Sequence, residues 1–410
     1  RWIEEGEVEE VALPLYQGVM IYLNNPNASA YVGGAGHHAR WIANEHSENA
    51  IAPQFLVQKD DYTDSIGRRA GWKLGVRSLS NATNERTIIA CLLGDVPCGN
   101  SLGLLSLADG PPWRLGYGAT ALSSLPYDWS MRLRIAGTNI NSFFLWESGW
   151  PAVPNELGAL MGTHALSLVA PTVAYSPLWL IAQHRARERG RWSSISFARI
   201  RALTPHERLR RNCIQDAMMS MAYGLRTEDL YHLMDGCDHP LAILSEKSFA
   251  RTLFPKGFWR VDKSRDPELR QTVLTLIAFH DLQERVEFSG GNREKSIEAF
   301  LGMNDGEGWM LPETLRLSDY GLGHDDRARQ HQPVRSRLGP RYLDFQLEQS
   351  VEDSWKECRL HARNLLGEAG YAALERELAV EVPPATRRVS EARAEQQDSL
   401  TPRSQEELFE

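Results

Sequence analysis

Apolar residues in the first 150 positions fall in short runs divided by Asn, Gly and Pro. Val11 to Leu23, Trp72 to Val76, Thr87 to Leu93 and Ile140 to Trp146 each fit a strand closed by turn residues. Asn24-Asn25-Pro26-Asn27 ends the first run as a turn, and Gly33-Gly34-Ala35-Gly36 before His37 and His38 reads as a flexible loop. Within the same stretch Leu122, Leu125, Trp129 and Leu133 return at helical spacing, which predicts a helix over about Thr120 to Ile135 despite Pro126. After about residue 155 helical periodicity takes over. It predicts helices over Pro205 to Tyr223, Thr227 to Met234, Pro267 to Leu282 and Phe345 to Ala379. Thr204 before Pro205 supplies an N-cap and a first-turn proline, and Glu228 and Asp229 place carboxylates in a first helical turn. Asn304 to Pro340 reads as exposed loop, and the polar stretch from Pro383 as a disordered tail. The expected class is α+β: a mixed strand and helix domain over 1–155, a basic and mainly helical one over 156–255, a helical extension over 256–382, and the tail.

The 410 residues suffice for two or three domains, and a 42% hydrophobic share is ordinary for a globular chain. Arg1 leads straight into an acidic stretch, so the chain reads as a piece of a longer polypeptide. No apolar run is long enough for a membrane span or a signal peptide, which makes a cytoplasmic location the expectation. Cys91, Cys98, Cys213, Cys237 and Cys358 are odd in number and widely spaced, arguing against a disulfide framework or a structural zinc site. Reduced and mostly buried thiols are expected. A net charge of −8 is unfavourable for binding a polyanion, but the charge is uneven. Five basic residues face one acid between Arg68 and Arg86, and nine arginines face Glu188 and Glu207 between Arg185 and Arg211.

Catalytic signatures are missing. No dinucleotide-binding or phosphate-binding glycine loop, zinc-protease helix or nucleophile elbow occurs, and Gly33 to Gly36 lacks the strand–helix frame that phosphate cradling requires. His280-Asp281 and His324-Asp325-Asp326 carry ligand atoms, but neither cluster shows three or four converging ligands by spacing. No catalytic residue, metal or cofactor site is expected in this chain.

Longer segments carry a positive signal. Pro14-Leu15-Tyr16-Gln17-Gly18-Val19-Met20-Ile21 opens it. Trp72 to Arg77, Asn81-Ala82-Thr83-Asn84-Glu85-Arg86-Thr87-Ile88-Ile89-Ala90 and Gly99-Asn100-Ser101-Leu102 follow in order. Then come Leu125-Pro126-Tyr127-Asp128-Trp129, Gly137-Thr138-Asn139-Ile140-Asn141-Ser142-Phe143-Phe144 and Pro151-Ala152-Val153-Pro154, and finally Asp216, Tyr223-Gly224-Leu225 and Thr227-Glu228-Asp229-Leu230-Tyr231. In this order they resemble the target-recognition region of type IIG restriction–modification enzymes and of the adenine-specific DNA methyltransferases of BREX and DISARM phage-defence systems. Ser78 stands where that family often has an acid, Asn139 where a histidine is common, and Ala222 opens a segment that usually reads Leu-Tyr-Gly-Leu. The stretch from about 255, including Gly257 to Lys263, matches less closely. The resemblance implies sequence-specific recognition of double-stranded DNA, with S-adenosylmethionine bound and methyl transfer performed by an upstream domain of the same polypeptide. Other proteins of a defence system are further partners it implies. The family's Asn-Pro-Pro-aromatic loop for the flipped adenine is absent, and Asn25-Pro26-Asn27 lacks both the second proline and the aromatic.

A recognition domain neutralises phosphates with Arg or Lys and reads base edges with Arg, Asn or Gln. Arg68, Arg69 and Lys73 are the phosphate candidates, against the alternative of a solvated strand edge, and Arg77 lies in the same basic stretch. Asn84 and Arg86 either contact DNA or, the favoured reading, anchor the fold by hydrogen-bonding a neighbouring loop. Asn139 and Asn141 precede Phe143-Phe144-Leu145-Trp146, whose rings fit a core better than a base-stacking platform. The nine-arginine stretch lines either a DNA backbone or a wet helical face. Two rivals remain: a free-standing specificity or adaptor subunit, and a metal-dependent hydrolase site at His280, Asp281, His324 and Asp325.

Overall fold

The computed structural model describes residues 8–44, 51–65, 71–107, 113–188, 192 and 194–379. Arg68, Arg69 and the tail expected from Pro383 lie outside them. The architecture is α+β, with small antiparallel sheets and a mainly helical second half. Strands β1 (Ala12–Pro14) and β4 (Leu56–Gln58) pair with each other, and β2 (Ser29–Gly33) and β3 (Arg40–Ala43) form a hairpin. Strands β5 (Lys73–Arg77), β6 (Ala90–Leu93) and β7 (Leu102–Ser106) form a sheet in the order β6-β5-β7, with Lys73 opposite both Leu93 and Ser106. Late in the chain β8 (Thr314–Leu315) pairs with β9 (Gln332–Pro333).

The helices are α1 (Lys59–Asp64), α2 (Trp113–Ser123), α3 (Leu125–Arg134), α4 (Ser142–Trp146), α5 (Asn155–Val169), α6 (Ser176–Glu188), α7 (Phe197–Ile200) and α8 (Pro205–Ala222). They continue as α9 (Thr227–Leu233), α10 (Leu241–Leu244), α11 (Lys247–Ala250), α12 (Gln271–Phe288), α13 (Arg293–Gly306), α14 (Phe345–Glu348) and α15 (Val351–Ala379). The Thr204 hydroxyl caps α8 by accepting from the Glu207 N–H, with Pro205 in the first turn as the sequence predicts. Asp229 accepts from the Arg226 N–H at the start of α9. The chain falls into two compact units, 1–365 and 366–410, and within α15 the backbone leaves helical geometry at Gly367.

Three local expectations are corrected. The helix predicted over Thr120 to Ile135 is two helices, because the Ser124 hydroxyl accepts from the Tyr127 N–H and starts α3 with Pro126 in its first turn. Only Ala12–Pro14 of the run to Leu23 is a strand of any length. Pro14 offers no N–H, and Gly18 lies so near Ser101 that an added Cβ would sit 2.9 Å from its carbonyl oxygen. Ile140 to Trp146 yields the helix α4, since four consecutive apolar residues without alternation do not specify one buried strand face.

One apolar core crosses the boundaries expected near 155 and 255. It runs from Tyr117 and Ala121 on α2 through Met161 on α5 and Met218 on α8 to Ile277 on α12 and Val334. The stretch 304–340 is irregular but not merely surface loop, for Trp309, Leu311, Leu315 and Leu317 are buried in that core. All five cysteines are free, four of them buried.

Helices α2 and α5 meet backbone to backbone. A Cβ on Gly162 would lie 2.3 Å from the Trp113 carbonyl oxygen, and one on Gly116 2.4 Å from that of Gly162. No side chain can yield at such a contact, so the helices themselves must separate. Gly162→Ala should destabilise the protein by about 1–3 kcal/mol despite the better helix propensity of alanine. Urea denaturation measures it; unchanged stability would show that the helices slide freely.

Candidate nucleic-acid interface

The basic residues of β5 and its neighbour serve the fold. Lys73 is only 2% exposed, and its ammonium donates to the Val96 carbonyl at 2.7 Å and the Tyr62 hydroxyl at 3.0 Å. Arg77 donates from Nε to the Gly18 carbonyl at 2.8 Å and from its terminal nitrogen to that of Ile21, and burial lowers its pKa. Arg86 is buried and donates to the Ser123 carbonyl. The expectation that Lys73 meets a phosphate is therefore corrected, and the anchoring role favoured for Arg86 is what the geometry gives. The reason is general: a charge on the central strand of a packed sheet persists only where carbonyl oxygens replace water around it.

One buried ion pair organises the loops in front of this sheet. Asp128 and Arg132, one helical turn apart on α3, are both fully buried, with Arg132 Nε 2.8 Å from the Asp128 carboxylate. The carboxylate also accepts from the Thr87 and Ile88 N–H groups at 2.9 and 2.6 Å. The other nitrogens of Arg132 donate to the carbonyls of Asn84 and Glu85 on one side and of Lys256 and Gly257 on the other, at 2.5–3.1 Å. Its guanidinium lies over the Phe258 ring, 4.3 Å from the centroid. Two loops distant in sequence are thus fastened to one side chain.

What these loops expose is different in character. Asn84, Asn139 and Asn141 are exposed, and the Leu79–Asn139 bridge holds the second of them beside the end of β5. On α4, Phe143 is 44% and Trp146 76% exposed, so these rings face solvent instead of forming the expected core. Arg134 donates to the Glu147 carbonyl and ties α4 to the end of α3. The second fastened loop belongs to a stretch with six basic residues, Lys247, Arg251, Lys256, Arg260, Lys263 and Arg265, against the single acid Asp262. Lys256 reaches the Ile135 carbonyl, Arg260 covers the Trp259 ring and Arg265 pairs with Asp262. Lys247, Arg251 and Lys263 are exposed and have no side-chain partner among the described residues. The Asp262 N–H donates to the Glu85 carboxylate, which puts Lys263 next to the Asn84 loop. Charge counting over this stretch would have revealed the run, but its position beside Asn84 depends on Arg132.

The hairpin β2–β3 adds a smaller exposed element. The Gly33 to Gly36 segment is its turn, and His37, His38 and Arg40 are exposed there with no acid between Ala28 and Asn44.

Within the arginine-rich stretch from Arg185 to Arg211, Arg201 and three arginines of α8 turn inward. Arg208, Arg210 and Arg211 are buried on α8. Arg208 donates to the carbonyls of Leu168, Ala202 and Asn24, and Arg211 meets the His164 ring at 3.0 Å. Arg210 chelates the Glu207 carboxylate at 2.7 and 2.9 Å and donates to the Glu307 and Trp309 carbonyls. Arg341 bridges Glu207 and Glu307, and Arg199 also reaches Glu307. Burial opposes the ionisation of Glu207, but the fields of Arg210, Arg211 and Arg341 outweigh it and hold the carboxyl well below its usual range. Neither a DNA-facing row nor a wet helical face describes these residues. Arg189, Arg191 and the side chain of Arg187 lie outside what the structure describes.

The four residues of the hydrolase alternative divide into separate clusters. His280 and Asp281 on α12 gather with Glu284, their ligand atoms within 4.8 Å of one another, while Asp281 accepts from the Trp309 indole at 2.6 Å. His324 instead bonds Asp238 at 3.0 Å and stacks on His239, and Asp325 accepts from the Arg327 N–H. No protein-family model, curated protein or solved structure matches the chain.

Proposed function

We propose that this chain binds double-stranded DNA as the recognition part of an adenine-specific DNA methyltransferase from a restriction–modification or phage-defence system. In this reading S-adenosylmethionine binding and methyl transfer belong to another domain of the same polypeptide, in the cytoplasm. The observation that carries the DNA-binding part is the juxtaposition made by Arg132: exposed Asn84 on one loop, and a basic run with unpaired Lys247, Arg251 and Lys263 on the other. Asparagines on loops suit bidentate reading of adenine edges, and unpaired cations suit phosphates. The methyltransferase part rests on the resemblance of the ordered segments. No helix of the described residues is long and apolar enough to cross a membrane.

Fluorescence anisotropy with labelled duplexes at several salt concentrations tests the proposal. Each phosphate neutralised contributes a slope of about −0.9 in log affinity against log salt, so Lys247→Ala, Arg251→Ala and Lys263→Ala together should flatten the slope by about 2 to 3. Binding to all sequences should weaken alike. Asn139→Ala with Asn141→Ala should instead reduce discrimination between sequences, by about 1–3 kcal/mol for each base edge that is no longer read. An unchanged slope would reject the basic run. No duplex binding at low salt would favour an adaptor that binds protein, for which the exposed Trp146 is the best anchor.

A further inference from the structure

Beside this surface lies a cavity of about 320 Å³, lined by Trp129, Leu133, His232, Leu233, Asp235, Phe254 and Gly257. Its volume falls in the range of about 300–1,000 Å³ in which small ligands are held. The walls are aromatic. The ring of Trp129 meets His232 at 5.9 Å and 80° and Phe254 at 5.9 Å and 54°, and Phe254 is 49% exposed. Among the described residues the only carboxylate at the cavity is that of Asp235, which is exposed and makes no hydrogen bond or ion pair with them. The wall formed by Phe254 belongs to the basic run, with Arg251 before it and Lys256 after it.

We propose that this cavity receives a guanine base unstacked from the bound DNA, an inference that rests on the DNA-binding reading. Aromatic walls stack on any base, so they supply affinity without choice. Asp235 supplies the choice. An ionised carboxylate only accepts, and its two oxygens match two parallel N–H donors. Guanine presents such a pair, N1–H beside the N2 amino group. Adenine and cytosine place a ring acceptor next to their amino donor, and thymine flanks its single N–H with two carbonyls, so each of them sets a lone pair against the carboxylate. An aromatic box with an acid also suits a methylated ammonium ion. Arg251, Lys256 and Arg260 flank the wall residues Phe254 and Gly257 in the chain, and a basic segment of this kind favours the phosphate that accompanies a base over a cation.

The test is anisotropy titration of three end-labelled duplexes, one fully paired, one with a single bulged guanine and one with a single bulged thymine. Wild-type protein should bind all three, and the guanine bulge about tenfold or more tighter than the thymine bulge, as a bidentate interaction provides. Asp235→Asn should remove that preference while leaving the fully paired duplex unaffected, and Phe254→Ala should weaken both bulged duplexes. Both side chains are exposed, and the melting temperature of each variant confirms that it folds. Equal wild-type affinity for all three duplexes, or a guanine preference that survives Asp235→Asn, would overturn the cavity's role and leave DNA binding standing. Failure to bind any duplex would overturn the DNA-binding reading, and the extruded base with it.

Discussion

Replacing Arg132 with alanine should lower the unfolding free energy by about 3–5 kcal/mol, the loss typical of removing one partner from a buried ion pair. The carboxylate of Asp128 would keep its two backbone N–H donors but lose its counter-charge, while the carbonyls of Asn84, Glu85, Lys256 and Gly257 would lose their donor. Asp128→Ala should cost as much, since it orphans the Thr87 and Ile88 N–H groups together with a buried guanidinium. Urea denaturation of both variants and of the double variant completes the cycle. The double variant should fall well short of the sum, because the second substitution removes a charge already left without its partner. Strict additivity would mean that the two side chains act independently. On the proposed DNA-binding function, duplex binding should fall with Arg132→Ala even at temperatures where the protein stays folded, since the Asn84 loop and the basic run lose their common fastening.

Glu207→Gln should destabilise the protein on the same scale, about 3–5 kcal/mol at pH 7, because it leaves buried Arg210 and Arg211 and half-buried Arg341 around a neutral amide. The pH dependence identifies the cause. The Glu207 pKa is depressed in the folded protein, so its contribution is present above the ordinary carboxylate range and fades as pH falls through that range toward the folded value. The difference between wild type and Glu207→Gln should therefore shrink on acidification. Asp216 has the opposite sign. Burial pushes its carboxyl up to about 6 although it accepts from the Leu125 N–H and the Gln271 amide. Its contribution is complete below the ordinary value of about 3.9 and is lost as pH rises through about 6. Asp216→Asn should flatten the stability profile between those two values, whereas Glu207→Gln should steepen the net decline there. A difference between Glu207→Gln and wild type that stays constant with pH would rule out the charge network as its origin.

Local chemistry was legible where a short stretch decides its own conformation. The Thr204-Pro205 start of α8, the acids opening α9, the strands β5 and β6 and the turn after Leu23 all follow from neighbouring residues. The failures share a cause. Thr120 to Ile135 has one helical period, yet Ser124 bonds its own chain and restarts the helix. Phe143 to Trp146 has the composition of a core segment, yet two of its rings are exposed, and composition does not say which face meets solvent. The boundaries expected near 155 and 255 follow changes of pattern that a core shared by α2, α5, α8 and α12 ignores.

By itself the sequence determined the class of fold, the free cysteines, the helices α8 and α9 and, in outline, α12. It could not determine which cations are available. Lys73, Arg77 and Arg210 look the same in sequence as Lys247, Arg251 and Lys263, but the first three give donors to carbonyls and carboxylates inside the protein while the last three keep theirs. That division is tertiary, because a buried guanidinium or ammonium is tolerated only where atoms from distant segments converge to replace its water. The same convergence at Arg132 brings residues 84 and 257 together, and no spacing along the chain announces it.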